Sequence, residues 1–412
     1  MHKISHFAII LFCFLGWSSC AGKTINTSSG DTTSNKDSAA LYSRESVLVL
    51  GADRPDQYLS NFKNKNIGVV ANQTSTASGM HLVDFLVQNG VSVKKVFAPE
   101  HGFRGEAGPG DKVSSGIDEK TGIPIVSLYG SKRRPSKEDL QGLDLVVFDI
   151  QDVGARFYTY ISTLHYVMEE CAIYGIEVWV LDRPNPNGFY VDGPVLNPSF
   201  SSFVGVAPIP VVHGLTVGEY ARMVNGEGWL KDSRKCEVKV VEMLNYTHQT
   251  YYELPVSPSP NLKDMDAILL YPTLCFFEGA AVSVGRGTPH PFTWVGFPGY
   301  KGGDSKLTPR DIPGVIKDPP YEGIQCDGKD LRGMVSSIEK DKQLNLELIL
   351  EMYKAFPDKS KFFNAFFEKL AGTDLLRKQI ESGKSAEEIR ASWQKDLDVY
   401  KNKRKRYLLY QD

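Results

Sequence analysis

Cysteine is scarce in this sequence, and its spacing excludes several kinds of site. The 412 residues include six cysteines and eight histidines, with no CxxC pair and no cluster of His and Cys. Nothing therefore indicates a zinc site. Beyond the N-terminus the cysteines are Cys171, Cys236, Cys275 and Cys326, mostly inside apolar runs. We expect them to be small buried residues, with a disulfide as the alternative if the protein is exported.

Nucleotide-binding signatures are also missing. The first clear apolar strand is followed by ANQTSTASG rather than GxGxxG, and no GxxxxGK[ST] occurs. This excludes the usual NAD, FAD and P-loop sites, and no cofactor or metal is expected. The net charge is −2, with no basic stripe interleaved with aromatics, so nothing indicates nucleic acid as a partner.

The N-terminus is typical of an export signal. Lys3 and His6 precede an apolar stretch at 7–15, which is too short for a comfortable membrane span. Small residues then precede Cys20, which resembles a bacterial lipoprotein processing site, although Trp17 stands where such sites prefer Leu. The alternative is a plain secretory cleavage nearby. We predict a signal peptide at 1–20, a disordered polar tether at 21–45, and an exported, periplasmic or cell-envelope protein with a lipid anchor at Cys20 as its membrane contact.

Apolar runs that alternate with helical patterns predict an α/β fold. Strands are expected at 66–71, 93–98, 123–128, 145–149 and 178–181, with a short one at 47–50. Helices are expected at 56–62, 81–89 and 160–174, after Ser136, and from Thr216 to about Val224. This alternation is typical of βαβ units, hence of a mostly parallel sheet flanked by helices. The last part of the chain favours helices at 345–356 and 374–381, and one from Ser385 onwards.

Polar residues follow the predicted strands directly. Because carboxyl ends of parallel strands share one edge of a sheet, we expect these residues to converge. They are Asn72, Glu100, Asp149, Gln151, Asp152, Asp182 and Arg183. In the glycine-rich stretch after Pro99, Glu100, His101 and Arg104 leave the strand together. A structural salt bridge between Glu100 and Arg104 is the alternative, and helix capping would explain some of the acids.

Further candidates lie on the helix at 160–174 and in later loops. Glu169 is at the border of the apolar stripe. A semi-buried cleft would raise its pKa towards that of a general acid, whereas pairing with Arg156 or a lysine is the structural alternative. Glu219 completes a capping box with Thr216. His213 is a lone loop histidine with a structural role by default.

Several segments resemble one family. They are FAPEHGFRGE, FDIQDVGARFYTYISTLHYVMEE, LDRPNPNG with DGPVL, VHGLTVGEYA, PSPNL, YPTLCFFEG, VSVGRGT and AGTDLLRKQIESGKS, in this order between about residues 46 and 410. The family is the exo-lytic β-N-acetylmuramidases (NamZ-like, glycoside hydrolase family 171). Pro289 and His290 depart from the pattern in the GRGT segment.

The resemblance implies a glycoside hydrolase that releases N-acetylmuramic acid (MurNAc) from non-reducing ends of peptidoglycan fragments, in cell-wall turnover and recycling. It implies a Rossmann-like domain at 46–295, a smaller α+β C-terminal domain at 296–412, and a cleft between them. The glutamate of the APEHG motif falls on Glu100, and the acidic position of VMEE falls on Glu169. Glycoside hydrolysis needs two carboxyl groups. We take Glu100 as the acid/base residue. The second carboxyl group could be that of Glu169, Asp152 or Glu278, and the sequence leaves this choice open.

A guanidinium is a suitable partner for the lactyl carboxylate that distinguishes MurNAc from GlcNAc. The arginine candidates are Arg104, Arg156, Arg183 and Arg286, where Arg286 and Glu278 belong to a second glycine-rich segment expected to face the strand edge. Other candidate substrate contacts are His101, Gln151, Asp152, Tyr158, Asp182, Asn185, His213 and Asn261. Two other classes stay open: a saccharide-binding lipoprotein without chemistry, and a metal-dependent cell-wall sugar hydrolase. Oligomeric state and stereochemical course are not determined by the sequence.

Overall fold

The structure, a computed structural model, describes residues 47–105 and 115–412. The predicted signal peptide, the tether and Cys20 lie outside the described residues. Within the described part of the chain, no helix is long and apolar enough to cross a membrane.

A seven-stranded sheet forms the centre of the protein, with a two-stranded hairpin beside it. The strands are β1 (Asn66–Ala71), β2 (Thr76–Ala77), β3 (Met80–His81), β4 (Ser92–Ala98), β5 (Gly116–Ile117), β6 (Pro124–Ser127), β7 (Leu145–Asp149), β8 (Glu177–Leu181) and β9 (Val238–Val241). The order in the central sheet is β5-β6-β4-β1-β7-β8-β9, and β2 and β3 form the hairpin. All neighbouring pairs of the central sheet are parallel except β5 with β6.

Helices cover both faces of this sheet. They are α1 (Pro55–Phe62), α2 (Leu82–Gln88), α3 (Lys137–Leu140), α4 (Tyr160–Tyr174), α5 (Val217–Glu227) and α6 (Met265–Leu274). In β7, Val146 and Phe148 pack into the core that contains α4, whereas Leu145 and Val147 pack into the core that contains α1 and α2. Burial on both faces explains the continuous apolar sequence of this strand.

The C-terminal part adds a three-stranded antiparallel sheet and five helices. The sheet has the order β10-β12-β11, with β10 (Trp294–Phe297), β11 (Ser305–Leu307) and β12 (Cys326–Asp330). The helices are α7 (Val335–Asp341), α8 (Leu346–Ala355), α9 (Phe366–Ala371), α10 (Leu375–Glu381) and α11 (Ala386–Arg404). Trp393 and Leu397 of α11 belong to the same core cluster as Phe148. The predicted fold, a mostly parallel α/β sheet with a smaller α+β C-terminal domain, is confirmed.

Most predicted elements are present, with a few differences. The strand expected at 47–50 is only an isolated bridge between Val49 and Leu244. Strand β9, helix α6 and the antiparallel sheet were not predicted. The capping boxes at Thr216 and Ser385 are present. Cys171, Cys236, Cys275 and Cys326 are buried, as expected, and all four are free.

Candidate active site

A cleft of about 510 Å³ opens beside the end of β4, between the sheet and the C-terminal part. The first half of the chain lines it with Glu100, His101, Tyr129, Arg133, Phe157, Tyr158, Thr159, Ser202, Phe203 and Val204. The second half contributes Ser259, Leu262, Tyr271, Glu278, Arg286, Phe292, Phe366 and Lys369. Aromatic walls with a few charged groups are suited to a sugar that carries an ionic substituent.

Glu100 lies at this cleft because β4 ends at Ala98 and the chain turns at Pro99. Both carboxylate oxygens accept hydrogen bonds: Oε1 from the hydroxyl of Tyr129 at 2.8 Å, and Oε2 from Thr159 Oγ1 at 3.2 Å. Thr159 is the N-cap of α4, yet its side chain makes no capping bond there. Its hydroxyl instead holds Glu100, so the catalytic candidate is oriented by one strand end and one helix start.

His101 follows Glu100 in a left-handed backbone conformation, with φ of 71°. Such a φ is uncommon for a residue other than glycine and persists only where surrounding contacts impose it. The side chain is buried and lines the cleft. The turn therefore presents two consecutive polar side chains to one cavity, as the sequence predicted for this stretch.

Glu278 and Arg286 lie in the same cleft and form an ion pair. The two side chains are about one-fifth exposed, at 21% and 20%. Cys275 Sγ donates to Glu278 Oε2 at 3.6 Å, and the guanidinium of Arg286 lies 5.1 Å from the ring centre of Phe292. Burial opposes the charge of Arg286, but Glu278 and other neighbours keep the pKa of Arg286 above its usual value. The cleft thus contains two carboxylates, one of which is already paired.

Glu169 does not line the cleft, in contrast to the hypothesis that it acts there as a general acid. It forms an ion pair with Arg134, accepts from the backbone N–H of Lys231 at 2.9 Å, and lies 3.4 Å from His165 Nε2. Burial opposes ionisation, but the hydrogen bonds from His165 and Arg134 lower the pKa of Glu169 to about 2. The prediction of a raised pKa was wrong. The structural alternative, in which Glu169 pairs with a basic residue, agrees better with the structure, but the partner is Arg134 rather than Arg156.

Two of the four candidate arginines are held by carboxylates outside the cleft lining. Arg104 donates to both oxygens of Asp118 at 2.8 Å and to Asp84 at 3.1 and 3.4 Å. Arg183 donates to both oxygens of Asp149 at 2.6 and 2.9 Å. Each guanidinium is therefore held by a bidentate carboxylate partner outside the cleft lining.

The third arginine, Arg156, is buried and also lies outside the cleft lining. Its Nη1 and Nη2 atoms donate to four backbone carbonyls. Burial lowers the pKa of Arg156 to about 9. Arg286 is thus the one candidate arginine that lines the cleft.

The strand-end acids form a buried scaffold rather than a row of substrate contacts. Asp182 accepts from Thr216 Oγ1 at 2.7 Å, the Gly218 N–H at 2.8 Å and the Tyr410 hydroxyl at 2.8 Å, so it joins the start of α5 to the C-terminus. Gln151 donates to the carbonyls of Asp152 and Pro184 at 2.8 and 2.6 Å.

Asp152 is the one strand-end acid that keeps an unsatisfied atom. Its Oδ2 accepts from the Gly154 N–H at 2.7 Å, whereas Oδ1 has no partner among the described residues. Burial raises the pKa of Asp152 to about 7, against the effect of hydrogen bonds from the Gly154 and Val153 N–H groups. Asp152 lies outside the cleft lining.

Three other candidates are also structural. Asn185 donates to the Leu215 carbonyl at 2.9 Å and Asn261 to the Val315 carbonyl at 3.0 Å. His213 Nδ1 accepts from the Leu215 N–H at 3.2 Å, and burial lowers the pKa of this histidine to about 3. Among the predicted substrate contacts other than the arginines and Glu278, only Tyr158 and His101 line the cleft. The Tyr158 hydroxyl donates to the Pro258 carbonyl at 2.9 Å.

Sequence reasoning identified five of the eighteen residues that line the cleft: Glu100, His101, Tyr158, Glu278 and Arg286. Phe157 and Thr159 flank Tyr158 in the quoted FDIQDVGARFYTYIS segment, and that adjacency was the available signal. Tyr129 and Arg133 follow the strand predicted at 123–128, so the rule that residues after parallel strands converge at one edge of the sheet applies to them as well. Phe203, Phe366 and Lys369 gave no signal, because they reach the cleft from loops and helices distant in sequence. Among the described residues, no group of three or more His, Cys, Asp or Glu is placed to hold a metal ion.

Two family descriptions match consecutive parts of the chain. Residues 67–266 match "Exo-beta-N-acetylmuramidase NamZ, N-terminal", and residues 269–410 match "Exo-beta-N-acetylmuramidase NamZ, C-terminal". Together they include both halves of the cleft.

Individual relatives agree with this match. The peptidoglycan beta-N-acetylmuramidase NamZ of Bacillus subtilis (strain 168) is 38% identical over 374 residues, covering 86% of this chain and 89% of that protein. The crystal structure of a DUF1343 family protein from Bacteroides fragilis NCTC 9343 is 47% identical with a TM-score of 0.83, covering 89% of this chain and 100% of its own. A second DUF1343 structure from that organism is 25% identical with a TM-score of 0.72, covering 88% and 99%. The resemblance drawn from the motifs is confirmed: the chain belongs to the NamZ family of exo-β-N-acetylmuramidases, a family of glycosidases.

Proposed function

We propose that this protein hydrolyses the β-glycosidic bond of a terminal MurNAc residue at the non-reducing end of peptidoglycan fragments such as MurNAc-GlcNAc, in cell-wall turnover. The observation that carries the proposal is the placement of Glu100. It lies in the cleft, oriented through both oxygens by Tyr129 and Thr159, with the Glu278–Arg286 pair in the same cavity. Two carboxyl groups beside one sugar-sized cavity are the basic requirement of glycoside hydrolysis.

In this proposal Glu100 donates its proton to the glycosidic oxygen as the bond to the anomeric carbon breaks. Glu278 supplies the second charge, because the other two candidates, Glu169 and Asp152, lie outside the cleft lining. The anomeric carbon gains positive character as the bond breaks, and a carboxylate beside it stabilises that charge. Water then forms the new bond to the anomeric carbon and gives its proton to a carboxylate of the cleft, which releases MurNAc as the free sugar. Arg286 pairs with Glu278 and holds its side chain in place.

The lactyl carboxylate of MurNAc requires a cation in the cleft. Arg286 is the remaining candidate from the sequence, and Arg133 and Lys369 also line the cavity. Arg133 is prepositioned, since its Nε donates to the Gly130 carbonyl at 3.2 Å and its guanidinium lies 4.6 Å from the ring centre of Phe203. These three cations would favour MurNAc over GlcNAc.

The test is hydrolysis of a chromogenic β-MurNAc glycoside beside the matching GlcNAc glycoside. We expect turnover of the first alone, and a loss of about 10²–10⁴-fold in kcat for Glu100→Gln. Glu170→Gln, a change on an acid of α4 that lies outside the cleft lining, is the matched control and keeps full activity. Saccharide binding without turnover would instead favour the binding-protein alternative, and loss of activity with a chelator would favour the metal-dependent one.

The proposal that cations of the cleft recognise the lactyl carboxylate is tested with the same two substrates. Arg286→Met, Arg133→Met and Lys369→Met together are expected to remove the preference for MurNAc. If this triple variant kept that preference intact, the three cations would have no role in recognising the lactyl group.

We further propose that the protein is exported and lipid-anchored at Cys20, in the periplasm or cell envelope. The signal-like apolar stretch and Cys20 after small residues support this. Mass spectrometry of the mature N-terminus is the direct measurement. An acylated N-terminal Cys20 is the expected result, and an unmodified N-terminus elsewhere would contradict it.

A further inference from the structure

Arg156 lies directly behind the cleft, at the point where the chain enters its floor. The next three residues, 157–159, all line the cavity, and Thr159 holds Glu100. The Arg156 side chain is 1% exposed. Its backbone N–H donates to the Val211 carbonyl at 2.8 Å. This backbone bond does not involve the side chain, so it keeps residues 157–159 in place when the guanidinium is changed.

The guanidinium of Arg156 joins the bases of two cleft walls. Nη1 donates to the carbonyls of Pro194 and Ile209, each at 2.8 Å. These residues delimit the segment 194–209, which carries the wall residues 202–204. Nη2 donates to the carbonyls of Leu370 and Ala371, each at 2.8 Å. These are the last residues of α9, the helix that carries Phe366 and Lys369 into the cleft.

The junction is closely packed around the guanidinium. The backbone N–H of Asn197 donates to the Gly372 carbonyl at 2.9 Å, which ties the two walls together. Gly372 has a φ of +72°, and a Cβ atom there would lie 2.8 Å from Arg156 Nη2. A larger residue at this position would therefore both strain the backbone and displace the guanidinium.

Only a guanidinium suits this arrangement. Its planar fork offers two pairs of donors to two pairs of carbonyls, whereas a lysine ammonium is a single point charge. A buried cation without a carboxylate partner is costly, so these four carbonyls are the main compensation for its burial. Removing the side chain would leave the carbonyls at the end of α9 without a donor.

We propose that Arg156 is a positioning residue for the MurNAc glycosidase: it sets the separation of the segment 194–209 and helix α9, and thereby places Phe203, Phe366 and Lys369 around the sugar without touching it. The inference rests on the proposed function, because it concerns how the same cleft binds its substrate. It predicts that Arg156 acts on substrate binding through α9, while Glu100 and the chemical step remain in place.

A double-mutant cycle tests this proposal. Arg156→Lys is combined with a wall variant that carries Phe366→Ala and Lys369→Met, and KM and kcat for the β-MurNAc glycoside are measured well below every unfolding temperature. We expect Arg156→Lys to raise KM by about 5–10-fold with kcat within about threefold, and the wall variant to raise KM as well. In the wall background, the effect of Arg156→Lys on KM is expected to fall below about twofold, since interacting positions are not additive.

A matched control is available in the C-terminal part. Arg390 forms an ion pair with the buried Asp192 and donates to the Leu344 carbonyl at 2.7 Å, away from the cleft. Arg390→Lys is expected to lower the unfolding temperature without changing KM. If Arg156→Lys fails to fold, Gly372→Ala perturbs the same junction from the α9 side and is expected to raise KM in the same way.

The outcomes are distinct. An equal effect of Arg156→Lys in both backgrounds, or a wall variant with unchanged KM, overturns the positioning role. A wild type that binds MurNAc without turnover overturns the proposed function alone, and the same cycle is then measured as Kd by calorimetry. A wild type that neither binds nor hydrolyses the sugar contradicts both.

Discussion

Replacement of Asp152 by asparagine is expected to stabilise this protein at alkaline pH. Asp152 is 4% exposed, and one of its carboxylate oxygens has no partner among the described residues. Burial raises the pKa from 3.8 to about 7. The folded state therefore holds this proton more tightly than the unfolded state. The contribution of this bound proton to the free energy of unfolding is fully present below pH 3.8, and it is lost as the pH rises through about 7.

The magnitude follows from the two pKa values. The interval from 3.8 to about 7 corresponds to about 4 kcal/mol. About 3 kcal/mol of this falls between pH 4.5 and pH 8.5. The asparagine side chain would keep an acceptor for the Gly154 N–H, and it leaves one polar group unsatisfied just as the protonated acid does. The variant and the wild type are thus expected to differ little in acid, and the variant is more stable in base.

Urea unfolding at pH 4.5 and pH 8.5, followed by circular dichroism, measures the effect. The gain of Asp152→Asn over wild type is expected to be about 3 kcal/mol larger at pH 8.5, or on the order of 4 °C in Tm for a unit of this length. Asp144→Asn is the matched control, because Asp144 is exposed and also accepts a backbone N–H, from Asn66 at 2.7 Å. A gain that is the same at both pH values, or no gain at pH 8.5, would refute the argument from burial.

Other contacts give further predictions. Glu169→Gln is expected to lower stability at pH 7 by about 2 kcal/mol after allowing for its half-exposed partner Arg134. Because the pKa of Glu169 is lowered to about 2, its contribution is present above pH 4.5 and lost as the pH falls towards 2. Urea unfolding at pH 7 and pH 3 measures this, and an equal loss at both would contradict it. Tyr410→Phe removes the hydroxyl that joins Asp182 to the C-terminus, with an expected loss of about 1–3 kcal/mol in thermal unfolding and unchanged kcat and KM; altered kinetics would show that the C-terminus reaches the cleft. Thr159→Val removes one donor to Glu100 and is expected to lower kcat about tenfold, whereas Thr163→Val, one turn later on α4, has no such effect; equal rates for the two variants would contradict the orienting role of Thr159.

Local pattern was sufficient for the fold and for part of the site. The runs at 66–71 and 145–149 are strands with the predicted bounds, because continuous apolar sequence is what a strand buried on both faces requires. The helix at 160–174 and its stop at Gly175 also follow from periodicity and from the left-handed C-cap. Placing Glu100 and His101 at the cleft needed only the end of β4 and the rule for parallel strands. The family likewise followed from motifs in the sequence.

Only the tertiary structure decided which polar groups face the substrate. Glu100, Asp152 and Asp182 all follow strands, but Asp152 and Asp182 are directed into the interior, where burial and hydrogen-bond partners determine their charge. Sequence spacing places a residue on an element, whereas its partner comes from whichever distant segment packs there. Helix α9 of the C-terminal part, which brings Phe366 and Lys369 into the cleft that contains Glu100, is more than 200 residues away from Glu100 along the chain. Contacts at such separation depend on how the elements pack, and no periodicity within a single segment contains that information.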